Sequence, residues 1–145
     1  MLAELIGLVI AALFTGAAFY INFAEQPARL QLDDAALLTQ WKPAYKRGFV
    51  MQASLAVAGF LCGLAAFGAE GDGQALAAGL VMLANWPYTL LGIMPTNNRL
   101  MATEPSAAGP QTRRLIEHWG RLHAVRTALG ALGVLLFLAA LTGEP

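Results

Sequence analysis

Four long stretches of the chain contain no charged side chain. They have 20, 22, 26 and 17 residues and run over 5–24, 48–69, 73–98 and 127–143. About 20 apolar residues, at about 1.5 Å of helix per residue, cross a hydrocarbon core of about 30 Å. The fourth stretch reaches this length if Arg126 lies just inside the membrane edge and extends its head group toward water. The predicted spans are 2–24, 48–69, 74–94 and 122–142.

Composition supports this interpretation of the pattern. Hydrophobic residues make up 57% of the chain and charged residues 12%, about half of what a soluble domain carries. A soluble four-helix bundle would need a polar face on each helix, and residues 55–69 have none. No Lys or Arg precedes Arg29, so we interpret the first span as a retained helix and not as a cleaved signal peptide. We expect a single all-α transmembrane domain over 1–145, a four-helix bundle.

The basic residues predict how the bundle is oriented. All nine fall between the first and second spans, or between the third and fourth spans and at the edge of the fourth. The positive-inside bias places these two longer loops in the cytoplasm and both termini outside, in a bacterial inner membrane. We expect short helices within the loops, at 33–40 and 111–121, the first ending before Trp41. The expected surroundings are a lipid bilayer, and balanced charge argues against nucleic-acid binding.

Polar residues near the cytoplasmic ends recur at helical spacing. On the first span, Asn22, Glu25 and Arg29 are spaced i, i+3 and i+7, and so they share one face. The other three helices carry similar stripes, at Tyr45, Gly48 and Gln52, at Asn85, Thr89, Gly92 and Thr96, and at Trp119, His123, Arg126 and Gly130. Because polar groups within a membrane usually face protein or a water-filled cavity, the stripes predict a polar pocket at the cytoplasmic end.

Backbone features complete this prediction. Pro27, Pro87 and Pro95 are expected to interrupt helical hydrogen bonding and free carbonyl groups near the pocket. Small residues four apart, at 59 and 63 and at 12 and 16, predict close helix packing at the outer end.

Several of these residues also have plainer interpretations. Glu25 could form only an ion pair with Arg29 or Arg47, Arg126 could extend to water without a ligand, and His123 could serve as a structural hydrogen-bonding group. No metal site is predicted, because no His/Cys cluster is present. A metal bound through Glu25 and His123, with other oxygen ligands, remains a minor alternative.

Four segments, read in order, resemble the DUF1772 family of small four-span membrane proteins, also called anthrone oxygenase-like. The segments are 22–29 (NFAEQPAR), 41–48 (WKPAYKRG), 86–97 (WPYT…PTN) and 119–126 (WGRLHAVR). A few fungal members are associated with the oxidation of anthrones to anthraquinones by O₂, without a cofactor. The resemblance therefore implies an oxidoreductase that acts on lipid-soluble aromatic or quinone-like compounds and needs no cofactor.

This chemistry requires a base, a cation near the developing anion and an apolar slot for a flat ring. His123 is the expected base, since an unperturbed imidazole titrates near neutrality, and Glu25 would orient it or act as the base itself. Arg126 would stabilise the anion, which completes the predicted catalytic set. The expected substrate-binding residues are Asn22, Arg47, Gln52, Trp86, Tyr88, Thr96, Asn97 and Trp119.

Two other functions stay open at this stage. The same pocket could bind or transport a small hydrophobic or planar anionic ligand without changing it. Because four spans are few for a lone transporter, that role would require a homo-oligomer. Alternatively, the polar residues could only tie helix ends together in a structural or accessory subunit.

Overall fold

A computed structural model describes residues 1–143 and consists of four long helices. Each predicted span lies within one of them, and each helix is long and apolar enough to cross a membrane. The helices are α1 (Leu2–Arg29), α2 (Asp34–Glu70), α3 (Gly73–Ala102) and α4 (Pro110–Thr142). The predicted all-α membrane bundle is confirmed.

The helices pack as a closed square in chain order. Each helix contacts the next, α4 returns to α1, and diagonal pairs hardly touch. We call the end with the segments 30–33 and 103–109 the loop end, and the end with the turn at Gly71 and Asp72 the turn end. Large apolar side chains such as Leu13, Phe23 and Leu91 point outward and are more than half exposed, as expected for surfaces solvated by lipid.

The helix predicted at 33–40 does not end before Trp41, as the sequence suggested. Asp33 caps the N-terminus by accepting a hydrogen bond from Ala36 N at 2.9 Å, and α2 then continues through Pro43. The Trp41 ring is fully buried, stacks on Tyr45 across the proline within α2 and meets Trp119 of α4 edge-on, and this packing stabilises the helix through Pro43. Thus the predicted loop helices are extensions of α2 and α4.

Small side chains bring the helices together at the turn end. A Cβ added to Gly63 would lie 2.9 Å from Gly79 Cα, so α2 and α3 approach backbone to backbone. Gly59 packs against the side chain of Met82. Gly16 does not follow the prediction, because an added Cβ would meet no atom of another helix within 4 Å and the residue borders an outward groove with Leu55.

Two π-helical turns replace the predicted breaks in α1 and α3. They span Ile21–Glu25 and Thr89–Ile93, and each precedes a proline by two residues. Pro27 and Pro95 have no N–H to donate to the carbonyl four residues earlier, which in each case lies inside the π turn. The wider turn bypasses that missing donor without breaking the helix. Pro87 lies within ordinary α-helix.

Candidate active site

A polar cavity lies between all four helices in the loop half of the bundle. It has about 20 Å³ of space for the centre of a water molecule, enough for about one water. An aromatic ring could therefore enter only if side chains move. The residues that line this polar cavity are Ile21, Glu25, Arg29, Ala44, Tyr45, Gly48, Phe49, Gln52, Ile93, Asn97, Trp119, His123 and Arg126.

Asn22 fixes the orientation of His123. The Asn22 amide nitrogen donates to Gly120 O at 2.7 Å, so its oxygen is an acceptor; Thr127 Oγ1 donates to it at 3.1 Å. The remaining partner of that oxygen, 2.9 Å away, is His123 Nδ1, which must therefore carry the proton. In the neutral ring Nε2 then has a free lone pair. This arrangement leaves the Nε2 lone pair free on a nearly fully buried imidazole.

Glu25 borders the same cavity as His123 but forms its bonds elsewhere. Its Oε1 accepts from Arg29 Nη2 at 2.5 Å and from Gln40 Nε2 at 3.1 Å. The Arg29 side chain is buried and lies over the Trp119 ring, 5.7 Å from the ring centre. Asn22, and not Glu25, is therefore the residue bonded to His123, and Glu25 lies in an ion pair at the cavity rim.

Arg126 is buried, with 6% of its surface exposed. Its guanidinium lies 5.5 Å from the centre of the Phe14 ring. Across residues 1–143, none of the ion pairs or side-chain hydrogen bonds involves Arg126, and its Nε is buried without a partner. A buried cation is costly in a membrane unless it is paired. Arg126 therefore provides a positive charge that no protein carboxylate in the described chain neutralises.

Aromatic rings form one wall of the cavity. The Tyr45 ring stacks on the Trp41 ring, with 4.9 Å between ring centres, and its centre lies 6.0 Å from that of Phe49. Trp41 meets Trp119 edge-on at 5.7 Å, and Trp119 lies 4.9 Å from the His123 ring. Flat, polarisable surfaces of this kind are suited to a planar ligand.

Two amides contribute further unpaired groups to the cavity. Gln52 and Asn97 are each 1% exposed, and Gln52 Nε2 and both amide atoms of Asn97 lack hydrogen-bond partners. Arg126 also borders a smaller chamber of about 10 Å³, where Asn85 Oδ1 and Thr89 Oγ1 are likewise buried and unpartnered. Buried polar atoms are normally hydrogen-bonded, so this concentration indicates a place where a polar ligand binds.

The other residues predicted for the site lie outside the polar cavity. Trp86 borders the smaller chamber and donates from Nε1 to Ala53 O at 3.2 Å. Tyr88 donates from its hydroxyl to Leu122 O at 2.8 Å. Thr96 is buried away from the cavity, and Arg47 is exposed on the surface of α2. Within residues 1–143, no group of three or more His, Cys, Asp or Glu side chains is arranged to hold a metal.

Sequence reasoning missed Phe49 and the two π turns. Phe49 lies four residues after Tyr45 and three before Gln52, so helical spacing places it on their face, but its apolar side chain does not distinguish it from lipid-facing neighbours. The π turns did leave a signal, because each precedes a helical proline by two residues. One π turn carries Asn22 and Glu25, and the other carries Thr89. Such turns often accompany functional sites.

Comparisons with known proteins agree on one family. The sequence model described as "Anthrone oxygenase" matches residues 41–136. An anthrone oxygenase of Claviceps purpurea is 32% identical over 92% of this chain and 84% of its own length. One from Aspergillus fumigatus is 34% identical over 74% of this chain and 72% of its own length. One from a Cryptosporiopsis species is 28% identical over 88% of this chain and 78% of its own length. No solved structure matches the chain.

Proposed function

The chain belongs to the anthrone oxygenase family, and on that basis we propose that it oxidises an anthrone-like, lipid-soluble aromatic compound with O₂ in the loop-end cavity. His123 is the base and Arg126 stabilises the anion that forms. The proposed reaction uses O₂ itself as the oxidant and needs no resident cofactor.

One observation supports this proposal above the others. Arg126, a buried guanidinium without a protein counter-ion in residues 1–143, lines the same cavity as His123, whose Nδ1 is bound to Asn22. A base with a free lone pair and an unneutralised cation are the two groups needed to make an anion from a neutral carbon acid. The cation favours the charged product of proton transfer over the neutral substrate, and that preference lowers the barrier.

The reaction proceeds through a stabilised anion. His123 Nε2 removes one proton from the methylene carbon of the anthrone, and the electron pair delocalises onto the carbonyl oxygen beside Arg126. O₂ takes up this pair as a C–O bond forms, and the resulting peroxide receives the proton from His123. The second methylene proton then leaves as the O–O bond breaks, giving a carbonyl group and water. The sum is anthrone plus O₂ to anthraquinone plus H₂O.

The neighbouring residues have positioning roles in this scheme. Asn22 holds the imidazole in the tautomer that leaves Nε2 free. The unpartnered amides of Gln52 and Asn97 would bind oxygen atoms of the substrate, and Trp119 would pack against its ring. Glu25 neutralises Arg29, so that Arg126 is the cation left to act on the substrate.

Oxygen uptake by the purified protein in liposomes tests the proposal. With 1,8-dihydroxyanthrone as substrate, and the spontaneous rate subtracted, we expect one O₂ consumed for each anthraquinone formed. Arg126→Gln should lower kcat/KM by about 10²-fold or more, as removal of an oxyanion-stabilising donor typically does. Arg121→Gln is the matched control, because Arg121 is exposed on the same helix.

The other outcomes discriminate between the remaining functions. Protein-dependent oxidation that is equally fast in Arg126→Gln would contradict the role of Arg126. Tight binding of 1,8-dihydroxyanthraquinone without any oxygen uptake would favour a binding or transport module. Neither binding nor uptake, together with lower stability of the variants, would favour a structural subunit.

A further inference from the structure

The polar cavity is one of three spaces that are linked by shared lining residues. Next to it is the small chamber that contains Asn85 and Thr89, and outside that is an apolar groove of about 510 Å³ between α2 and α3. Phe49 lines all three spaces. Arg126 lines the inner two, and Trp86 the outer two.

The small chamber and the groove are separate spaces that share Phe49, Ala53 and Trp86. The inner two spaces hold about 20 Å³ and about 10 Å³, while the groove is far larger and open. Trp86 is 38% exposed and donates a hydrogen bond to Ala53 O on α2 at 3.2 Å. That bond joins α2 and α3 beside the residues that the two spaces share.

We propose that the substrate reaches Arg126 sideways from the bilayer, between α2 and α3, through a port that Phe49 and Trp86 close. This inference rests on the proposed function for the kind of molecule that enters, a planar aromatic compound dissolved in lipid. The groove walls are apolar, with Val50, Val57 and Leu61 among them, and they match such a compound. Ser54 also lines the groove, but its hydroxyl already donates to Val50 O, and the unpartnered polar groups and the charge lie further in, at Asn85, Thr89 and Arg126.

A second groove shows what distinguishes this one. Between α1 and α2 lies an open space of about 720 Å³ that includes Ala17 and Leu55. No residue that lines it also lines the polar cavity or the small chamber. Of these two grooves, only the one beside Trp86 shares lining residues with a chamber that a buried cation borders. Ala17 and Ala53, both half-buried, provide a matched pair for blocking one groove at a time.

Rates of ligand exchange test the port directly. The probe is 1,8-dihydroxyanthraquinone in liposomes, and its binding is followed by quenching of tryptophan fluorescence, which requires no turnover. In Ala53→Phe the added ring should slow association and dissociation by a similar factor, roughly tenfold, because a narrower port impedes passage in both directions. The equilibrium Kd should change less than twofold. Ala17→Phe should leave both rates unchanged, and Trp86→Ala should accelerate both.

The outcomes separate the port from the proposed reaction. Unchanged rates in Ala53→Phe, or equal slowing in Ala17→Phe, would overturn the port even if the wild type oxidises anthrones. Slowing in Ala44→Phe alone would also overturn it, because Ala44 lines the polar cavity but neither outer space. Absence of probe binding to the wild type would overturn it as well. Slowed exchange in a protein that consumes no O₂ would support the port and contradict the oxygenase.

Discussion

The two halves of the bundle are built from different residues on the same four helices. The core of the turn half contains mainly alanines, with Phe14, Met82 and Phe137 as its large side chains. The loop half contains leucines, Trp41 and Trp119 around a polar cavity. Buried polar atoms without partners concentrate in the loop half, where they include those of Asn97 and Arg126.

The turn half provides the close packing that stabilises the bundle, and the loop half contains the candidate site. Lipid is as apolar as a leucine side chain, so membrane helices associate through close packing and hydrogen bonds. The turn half supplies that packing through contacts such as Gly63 against Gly79. Buried polar groups without hydrogen-bond partners lower the free energy of unfolding. The close packing in the turn half offsets this cost, so the loop half can contain such groups. Substitutions in the turn half should therefore change mainly the free energy of unfolding, and substitutions in the loop half mainly the rate of oxidation.

The largest effect is expected from loss of the base in the loop half. His123→Ala should lower kcat for anthrone oxidation by about 10²–10⁴-fold, the range typical of a removed general base. Oxygen uptake measures the rate, and thermal unfolding in detergent checks that the protein is folded. His118→Ala is the control, because His118 is exposed on the same helix. Full activity in folded His123→Ala would contradict the assignment of the base.

A glycine in the turn half should matter for folding and not for chemistry. Gly63→Ala places a methyl group against the α3 backbone, and we expect the free energy of unfolding to fall by about 1–3 kcal/mol. Gly48→Ala, in the loop half, should cost much less, because the nearest atom to its new Cβ is Ile21 Cδ1 at 3.9 Å. Denaturation of the two variants side by side provides the comparison. Equal losses of stability would remove the distinction between the halves.

Loss of the bond that orients His123 should have an intermediate effect. Asn22→Leu removes the acceptor for Nδ1, and we expect kcat to fall by about tenfold or more, in the range of lost supporting hydrogen bonds, with little change in KM. Thr127→Val removes only the Thr127 bond to the same oxygen and should have a smaller effect. An unchanged kcat in Asn22→Leu would show that the tautomer does not limit the reaction.

The smallest effect is expected at Gly16. Gly16→Ala adds a methyl group that meets no atom of another helix within 4 Å, so stability and activity should stay within about 0.5 kcal/mol of the wild type. Thermal unfolding measures this against Gly63→Ala. A large loss would show that Gly16 packs against something other than lipid.

The fold could be predicted from sequence because its signal is long and local. Uncharged runs of membrane length have one main physical explanation, and all four lie within helices. The path of α2 through Pro43 could not be predicted in this way. That path depends on Trp41 meeting Trp119, a contact between residues 78 positions apart in the chain. The prediction of close packing at Gly16 was wrong for the same reason, since spacing alone does not say which face of a helix contacts a neighbour.

The candidate site was only partly accessible to sequence reasoning. Helical spacing placed Glu25, His123 and Arg126 on inward faces, because a polar residue in a membrane rarely faces lipid. Spacing gives no distances between helices, so it could not show that His123 bonds to Asn22 while Glu25 bonds to Arg29. Phe49 carries no such signal, since an aromatic ring is as stable in lipid as in a passage between helices.

The most direct test of the central claim is the absorption spectrum of bound 1,8-dihydroxyanthraquinone. Deprotonation of this dye shifts its visible band to longer wavelength, so the band reports whether the cavity stabilises an anion. At a pH where the free dye is neutral, the wild type and Arg121→Gln should show the shifted band, and Arg126→Gln should show the neutral one. Neutral spectra in all three proteins would contradict an anion-stabilising site at Arg126.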